Sequence, residues 1–132
     1  MILLPKRRDD PELIDLPSET YNKSEFAESL ADIRKVNRYL GDNHAILKVF
    51  SALASGFAVS EAKLIRVLDV ATGSADIPVA IVRWARRHGL NVVVTAVDVN
   101  PLAVHEAAAY AHGYSEITIA VADGFSLPFL KL

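Results

Sequence analysis

The chain has 132 residues, of which 52% are apolar and 23% are charged, and its formal net charge is −2. This composition predicts a single globular domain that buries roughly two-thirds of its surface. The small charge gives no electrostatic basis for binding nucleic acid or an anionic membrane, and the lack of cysteine excludes disulfides, thiolate metal sites and a cysteine nucleophile. No apolar run reaches the length of a signal-peptide core or a membrane span, so we expect a cytoplasmic protein.

Residues 1–23 contain three prolines, which exclude a long helix or a central strand and predict an extended arm. The basic residues 6–8 are followed by Asp9 and Asp10, whose charges oppose theirs, so a solvated arm is favoured over a nucleic-acid contact.

Residues 24–58 are predicted to form a helical cover made of two helices. The first, over residues 24–40, carries one apolar stripe at three- and four-residue steps, formed by Phe26, Leu30, Ile33, Val36 and Leu40. The second runs to about residue 55, and its predicted inner face consists of Ile46, Leu47, Phe50 and Leu53. Two interpretations stay open for Asn37, Arg38 and Tyr39: they belong to this cover, or they help to close a ligand site.

Residues 62–132 alternate strands with helices. We expect strands at Leu64–Val70, 91–97 and 116–121, and helices at 76–88 and 100–112. Asp76 and Asn100 are the predicted N-caps, with Pro78 and Pro101 in the first turns. The strands are almost continuously apolar, which is typical of parallel strands buried on both faces. This order predicts an α/β fold with a Rossmann-like parallel sheet, strand order 3-2-1, and both crossover helices on one face.

Each predicted strand ends at an acidic residue: Asp69, Asp98 and Asp123. Ligands of open parallel sheets bind outside the carboxyl ends of the strands, so these carboxylates are candidate site residues. Asp98 is suited to accept hydrogen bonds from two ribose hydroxyls, Asp123 from an exocyclic amine, and Asp69 from a cationic amine. Gly73 lies in the small-residue turn after the first strand, where the backbone can approach a ligand closely. The pattern therefore indicates a nucleoside with an amino-acid-like tail.

The stretches VLDVATGSADIP, VTAVDVNPLAV and VADGFSLPF resemble, in order and spacing, the first three motifs of class I S-adenosylmethionine-dependent methyltransferases. The nearest members are small-molecule enzymes related to quinone-biosynthesis methyltransferases. The resemblance covers residues 64–129 and implies S-adenosylmethionine as the cofactor. It implies the following contacts: Asp69, Ala71 and Gly73 at the methionine end, Asp98 at the ribose, Val99 on the adenine ring, and Asp123 with Gly124 at the adenine amine.

The chain departs from the family pattern in two places. The family turn usually has three glycines at alternate positions, whereas Ala71 and Ala75 replace the outer two, and alanine disfavours positive φ. The family also continues with four more strands, which usually carry the substrate pocket and any catalytic base. We therefore expect this chain to be the N-terminal, cofactor-binding half, truncated at Leu132, inactive alone and without an identifiable catalytic residue.

Two other functions stay open. Dinucleotide binding requires a G-x-G-x-x-G turn after the first strand, which ATGSAD does not supply. A non-catalytic cofactor-binding or interaction module is favoured by the missing second half. No metal site is predicted, because the four histidines are dispersed along the chain.

The expected partners are a small-molecule methyl acceptor and a second copy of the chain. A three-stranded sheet without later strands leaves the edge of the first strand unpaired and one face bare. Because exposed strand edges and large apolar patches are rare in monomers, we expect a homodimer or larger oligomer.

Overall fold

The computed structural model of the chain describes residues 22–40, 42–56 and 63–127. Nearly all of the predicted arm, 1–23, therefore lies outside the described residues, and Lys23 already belongs to a helix. The elements are α1 (Lys23–Leu40), α2 (Asp42–Gly56), β1 (Leu64–Val70), α3 (Asp76–Arg87), β2 (Asn91–Asp98), α4 (Pro101–Tyr110) and β3 (Ile117–Val121). Within these ranges, no helix is both long and apolar enough to cross a bilayer.

The strands form one parallel sheet in the order β1-β2-β3, with β2 in the centre. This is the predicted 3-2-1 order read from the opposite edge. Leu64 of β1 pairs with Asn91 of β2, and Val94 of β2 pairs with Ile117 of β3. Because both pairs are parallel, the chain must return to the other end of the sheet between strands, and α3 and α4 make these two crossings. The carboxyl ends of all three strands consequently lie at the same end of the sheet.

α3 and α4 pack on the same face of the sheet, as predicted. Ile81 and Ala85 of α3 form one buried cluster with β2, and Ala107 of α4 belongs to a second. Ile117 of β3 packs against both clusters, which places the two helices side by side on one face. On the other face, Leu64, Leu68 and Val70 are 43%, 40% and 48% exposed.

The two N-terminal helices pack against α3 and α4 rather than on the exposed sheet face. The ring of Phe50 in α2 meets the ring of Trp84 in α3 edge to face, with 5.3 Å between centroids. Phe26 and Leu30 of α1 are buried against Ala103 of α4. Both N-terminal helices therefore lie on the side of the sheet that carries α3 and α4.

Part of the predicted inner faces of α1 and α2 is wrong. Ile33 and Val36 are 42% and 50% exposed, and Ile46 and Leu53 are 40% and 53% exposed. In α2 the predicted Leu47 and Phe50 do pack against the core, but Ala54 joins them in place of Ile46 and Leu53, so the contact stripe is shifted around the helix. Periodicity indicates which side of a helix is apolar, but the extent of burial depends on how far the partner helix reaches.

Candidate functional site

The β1–α3 loop (residues 71–75) has an unusual backbone. Ala71, Gly73 and Ala75 have φ values of 59°, 57° and 61°, so left-handed residues occur at alternate positions. Two backbone hydrogen bonds hold the loop: Thr72 N–H donates to Val97 of β2 at 3.0 Å, and Ala75 N–H donates to Thr72 at 3.1 Å. Glycine adopts this left-handed backbone without strain. For each of the two alanines, the same backbone costs about 1–2 kcal/mol of conformational free energy.

The N-terminus of α3 is not capped by the residue predicted from the sequence. Ala75 is the N-cap residue and has no capping side chain, so the prediction that Asp76 caps this helix is wrong. Asp76 already has a helical backbone, whereas a capping residue precedes the helix and its side chain accepts from an N–H group two or three residues later. The buried carboxylate of Asp76 instead accepts a hydrogen bond from Asn37 Nδ2 of α1 at 3.0 Å. The N-terminal end of α3 thus lacks a side-chain cap beside the loop.

Asp98 connects the loop to the end of β2. One carboxylate oxygen, Oδ2, accepts from Gly73 N–H at 2.9 Å, and the other, Oδ1, accepts from Asn100 N–H at 2.9 Å. Because a carboxylate has about four lone-pair positions, each oxygen can still accept from a ligand. An added Cβ on Gly73 would meet no atom within 4 Å, so the loop backbone faces open space at this point.

Asp69 is the least satisfied of the three carboxylates. Its Oδ2 is buried without a hydrogen-bond partner, and so is the nearby hydroxyl oxygen of Thr72. Burial raises the pKa of the Asp69 carboxyl above its usual value of 3.8, and the charges of Asp76 and Asp98 raise it further, whereas the Thr72 hydroxyl lowers it. The hydroxyl is therefore near enough to favour the charged carboxylate, although the two groups lack hydrogen-bond geometry. A cationic group would compensate this carboxylate.

The third strand end lies beside the second. Ala122 N–H donates to the backbone oxygen of Asp98 at 3.0 Å, and Asp123 Oδ1 accepts from Phe125 N–H at 2.9 Å. Gly124 approaches β1 so closely that an added Cβ would overlap the side chain of Val70. The segment after β3 thus returns toward β1 and brings all three strand ends together.

Two apolar side chains near this edge are unusually exposed. Val99 follows β2 and is 71% exposed, and Phe125 is fully exposed. Val99 is among the site residues predicted from the sequence, whereas Phe125 is not; its signal is a large apolar residue directly after an acid–glycine pair. Thr72, a polar residue inside a turn of small residues, is also absent from the predicted site. Of the three residues that could help to close a ligand site, Asn37 contacts Asp76. The side chains of Arg38 and Tyr39 lie outside the part of the chain that the structure describes.

Three solved structures share this fold. A putative S-adenosyl-L-methionine-dependent methyltransferase from Methanococcus maripaludis has 16% identity and a TM-score of 0.56, over 83% of this chain and 48% of that one. A putative class I S-adenosylmethionine-dependent methyltransferase from Listeria monocytogenes has 18% identity and a TM-score of 0.56, over 85% and 37%. A SAM-dependent methyltransferase from Aquifex aeolicus has 19% identity and a TM-score of 0.53, over 83% and 51%.

These structures establish the fold, and the chain spans between 37% and 51% of their lengths. No curated protein sequence matches the chain significantly. The sequence profile of the ubiE/COQ5 methyltransferase family matches residues 37–131, which is most of the chain and includes all three strand-end motifs. The chain therefore belongs to the ubiE/COQ5 methyltransferase family.

Proposed function

We propose that this chain binds S-adenosylmethionine and forms the cofactor-binding part of a methyltransferase for a small-molecule acceptor. The observation that carries the proposal is the position of Asp98. Hydrogen bonds from Gly73 and Asn100 hold its carboxylate beside the open side of the β1–α3 loop, where a ribose can reach both oxygens. Preorganised acceptors of this kind bind without an ordering penalty.

The residues present fit the rest of the cofactor. Asp69 has a buried oxygen without a partner, which suits the positively charged methionine end, with Ala71 and Gly73 lining that end. Val99 offers an exposed apolar surface to the adenine ring. We assign Asp123, next to Gly124, to accept from the adenine amine. When bound, S-adenosylmethionine supplies an electrophilic methyl group, and the residues named here orient it.

Calorimetry with S-adenosylhomocysteine, the demethylated product, tests this proposal. Asp98→Asn keeps the shape of the side chain but removes its charge, and we expect the dissociation constant to rise about tenfold or more, as for a hydrogen bond to a charged group. Asp32→Asn removes the same charge from an exposed position on α1 and should leave binding unchanged. Equal affinity of the Asp98→Asn variant and the native chain would refute the ribose assignment. Tighter binding of NAD than of S-adenosylhomocysteine would instead favour the dinucleotide alternative.

Turnover separates an enzyme from a binding module. The carboxylates at the three strand ends, Asp69, Asp98 and Asp123, are all assigned to the cofactor, and Asp76 beside the loop accepts from Asn37. Methyl transfer depends mainly on positioning the acceptor in line with the methyl group, and none of these carboxylates is assigned to the acceptor. We therefore propose that the chain alone binds cofactor but does not turn over, and robust radiolabelled methylation by the 132-residue chain would contradict this.

We also propose that the chain self-associates along β1. Within the described residues, β1 pairs only with β2, and a groove of about 550 Å³ lies between its free edge and Phe50 and Leu53 of α2. On the α2 side of this groove, from Ala45 to Ser55, the only charged residue is Lys48, and depletion of charge is typical of interface cores. The β1 side contributes the cations of Lys63 and Arg66. Light scattering during size exclusion should give a multiple of 14.4 kDa, and a monomer at high concentration would contradict the proposal.

A further inference from the structure

The turn that follows β3, residues 123–126, contains a dipeptide that occurs once in the chain. Asp123 is the only aspartate that precedes a glycine, and no asparagine precedes one. Asp69 and Asp98, at the ends of the other two strands, each precede a valine. A β-branched side chain crowds the backbone nitrogen of its own residue, whereas glycine leaves this nitrogen open to the preceding side chain. The third strand end therefore differs from the other two in its chemistry.

The packing of this turn against β1 requires the glycine. An added Cβ on Gly124 would overlap Cγ1 of Val70, the last residue of β1. Any residue with a side chain at position 124 would therefore push the turn away from β1. The Asp-Gly pair is thus tied to the close contact that brings the three strand ends together.

Both groups of the pair that could react with each other are accessible. Asp123 is exposed and Gly124 is half-buried. Oδ1 of Asp123 accepts from Phe125 N–H at 2.9 Å, and the backbone oxygen of Asp123 accepts from Ser126 N–H at 3.0 Å. A side-chain bond to the residue two positions later folds the carboxyl group over the intervening peptide, which here is that of Gly124. No described residue accepts from the Gly124 N–H, so its nitrogen lies beside the carboxyl group without another partner.

We propose that Asp123 is a site of spontaneous isomerisation to isoaspartate in the folded chain. The amide nitrogen of Gly124 gives up its proton and forms a bond to Cγ of Asp123, and the protonated carboxyl group loses its hydroxyl. One water molecule leaves and a five-membered succinimide closes, a reaction favoured because both groups belong to neighbouring residues. Water then opens the ring. Attack at Cγ restores aspartate, whereas attack at the main-chain carbonyl carbon gives isoaspartate, in which the chain runs through Cβ and Cγ and the main-chain carbonyl becomes a free carboxylate.

The product alters the cofactor crevice. Isomerisation inserts Cβ into the main chain, which moves the carboxylate of Asp123 away from Phe125 N–H and displaces Gly124 from its contact with Val70. The effect on binding rests on the proposed function, in which Asp123 accepts from the adenine amine. An isomerised chain should then bind S-adenosylhomocysteine more weakly, and the bound ligand should slow the reaction by occupying the carboxylate.

Incubation of the chain in water enriched in heavy oxygen, at neutral pH and physiological temperature, tests the reaction. Each passage through the succinimide introduces one heavy oxygen atom, and electron-transfer fragmentation of the peptides distinguishes isoaspartate by cleavage of its Cα–Cβ bond. We expect label and isoaspartate at Asp123 and neither at Asp69 or Asp98. Equal labelling of all three aspartates would overturn the proposal. A folded chain that gains no label at Asp123, whether or not the urea-unfolded chain gains it, would overturn it as well.

Two variants isolate the role of the glycine. Val70→Ala removes the Cγ1 atom that Gly124 approaches and keeps the Asp-Gly pair, so it should take up label no more slowly than the native chain. Gly124→Ala in the same Val70→Ala background adds a Cβ beside the attacking nitrogen without the overlap, and labelling at Asp123 should be lost. Circular dichroism verifies that both variants fold. Equal labelling rates in the two variants would contradict the proposal.

The same incubation with saturating S-adenosylhomocysteine, whose binding is followed by calorimetry, separates this proposal from the proposed function. Slower labelling of Asp123 in the complex would support both. Unchanged labelling in a chain that binds the ligand would still support isomerisation at Asp123 but would contradict the assignment of this residue to the adenine amine.

Discussion

The two strand-to-helix connections of this sheet differ in how they begin their helices. Asn100, between β2 and α4, accepts from Leu102 N–H at 2.9 Å with its side chain, and Pro101 follows at the first helical position. The β1–α3 loop has neither feature: its N-cap is Ala75, with a left-handed backbone and no capping side chain. One connection has the residues that stabilise a helix start, whereas the other leaves donors free and holds strained backbone.

This difference means that the β2–α4 connection is built for stability, whereas the β1–α3 loop is better suited to bind a ligand. A side-chain cap satisfies N–H groups that would otherwise be available to a ligand, so a capped helix start is a poorer ligand site. Strain is retained where the surrounding structure enforces it, and here the bonds from Thr72 to Val97 and from Gly73 to Asp98 do so. The capped connection can therefore serve as the internal reference for experiments on the uncapped one.

The largest effect is expected for Gly73→Ala. At a φ of 57° the added methyl group has free space but an unfavourable backbone, so the free energy of unfolding should fall by about 1–2 kcal/mol. Binding of S-adenosylhomocysteine should weaken too, because the methyl group would occupy the open space in front of the loop. Gly113→Ala also adds a methyl group in open space, at a glycine without positive φ, and is the control in urea denaturation. Equal losses in both variants would contradict the role of loop geometry.

Asn100→Ala removes the cap from the reference connection. We expect a loss of about 1 kcal/mol in unfolding free energy, since an alanine N-cap leaves a donor of the first helical turn without its partner. Asn100→Asp keeps an accepting oxygen and should retain most of the stability. Cofactor affinity should be unaffected in both variants, because the bond from Asn100 to Asp98 uses the backbone N–H. A large loss of affinity in the alanine variant would mean that the two connections are not independent.

Ala71→Gly relieves strain in the uncapped connection. Ala71 is exposed, so glycine removes the unfavourable φ without loss of packing, and the chain should gain about 0.5–1 kcal/mol in unfolding free energy. Ala75→Gly should be nearly neutral, because Ala75 is fully buried and the lost methyl group costs about 0.8 kcal/mol. Ala108→Gly, in the interior of α4, should instead destabilise by about 1 kcal/mol. Destabilisation by Ala71→Gly would contradict the assignment of strain.

The smallest effect concerns pH and Asp69. Its pKa is raised in the folded chain, chiefly by burial, so the folded state binds more protons than the unfolded state just above pH 3.8. Stability should consequently fall as pH rises through that window, and Asp69→Asn should remove this part of the pH dependence. Chemical denaturation at a series of pH values measures it, with Asp32→Asn as the exposed control. A native chain whose stability relative to Asp69→Asn increases with pH would contradict the burial of this carboxyl.

Much of the fold could be predicted from local signals. The boundaries of β1, the cap at Asn100 and the stop of α3 near Gly89 follow from apolar runs, capping residues and glycine, all of which act over a few residues. The family motifs identified the three strand ends because their spacing is preserved.

The remaining features depend on contacts distant in sequence. Asp76 has the residue type of a cap, yet its carboxylate meets Asn37, 39 residues earlier in the chain. The exposure of Ile33 and Val36 depends on where α1 meets α4. Alanine also predicts negative φ at positions 71 and 75, whereas the bonds between the loop and β2 impose the opposite sign.

The parallel register has a consequence for how this chain folds. Paired residues of β1 and β2 are 27 positions apart, and those of β2 and β3 are 23 apart, so no strand can zip up through a short hairpin. Each pairing must first close a long loop that contains a helix, which raises the contact order and slows the search for the native state. β2 has a partner strand on each side, so its amide protons should be among the slowest of the sheet to exchange. Neither pairing can form without β2, so the central strand takes part in every loop closure that assembles the sheet.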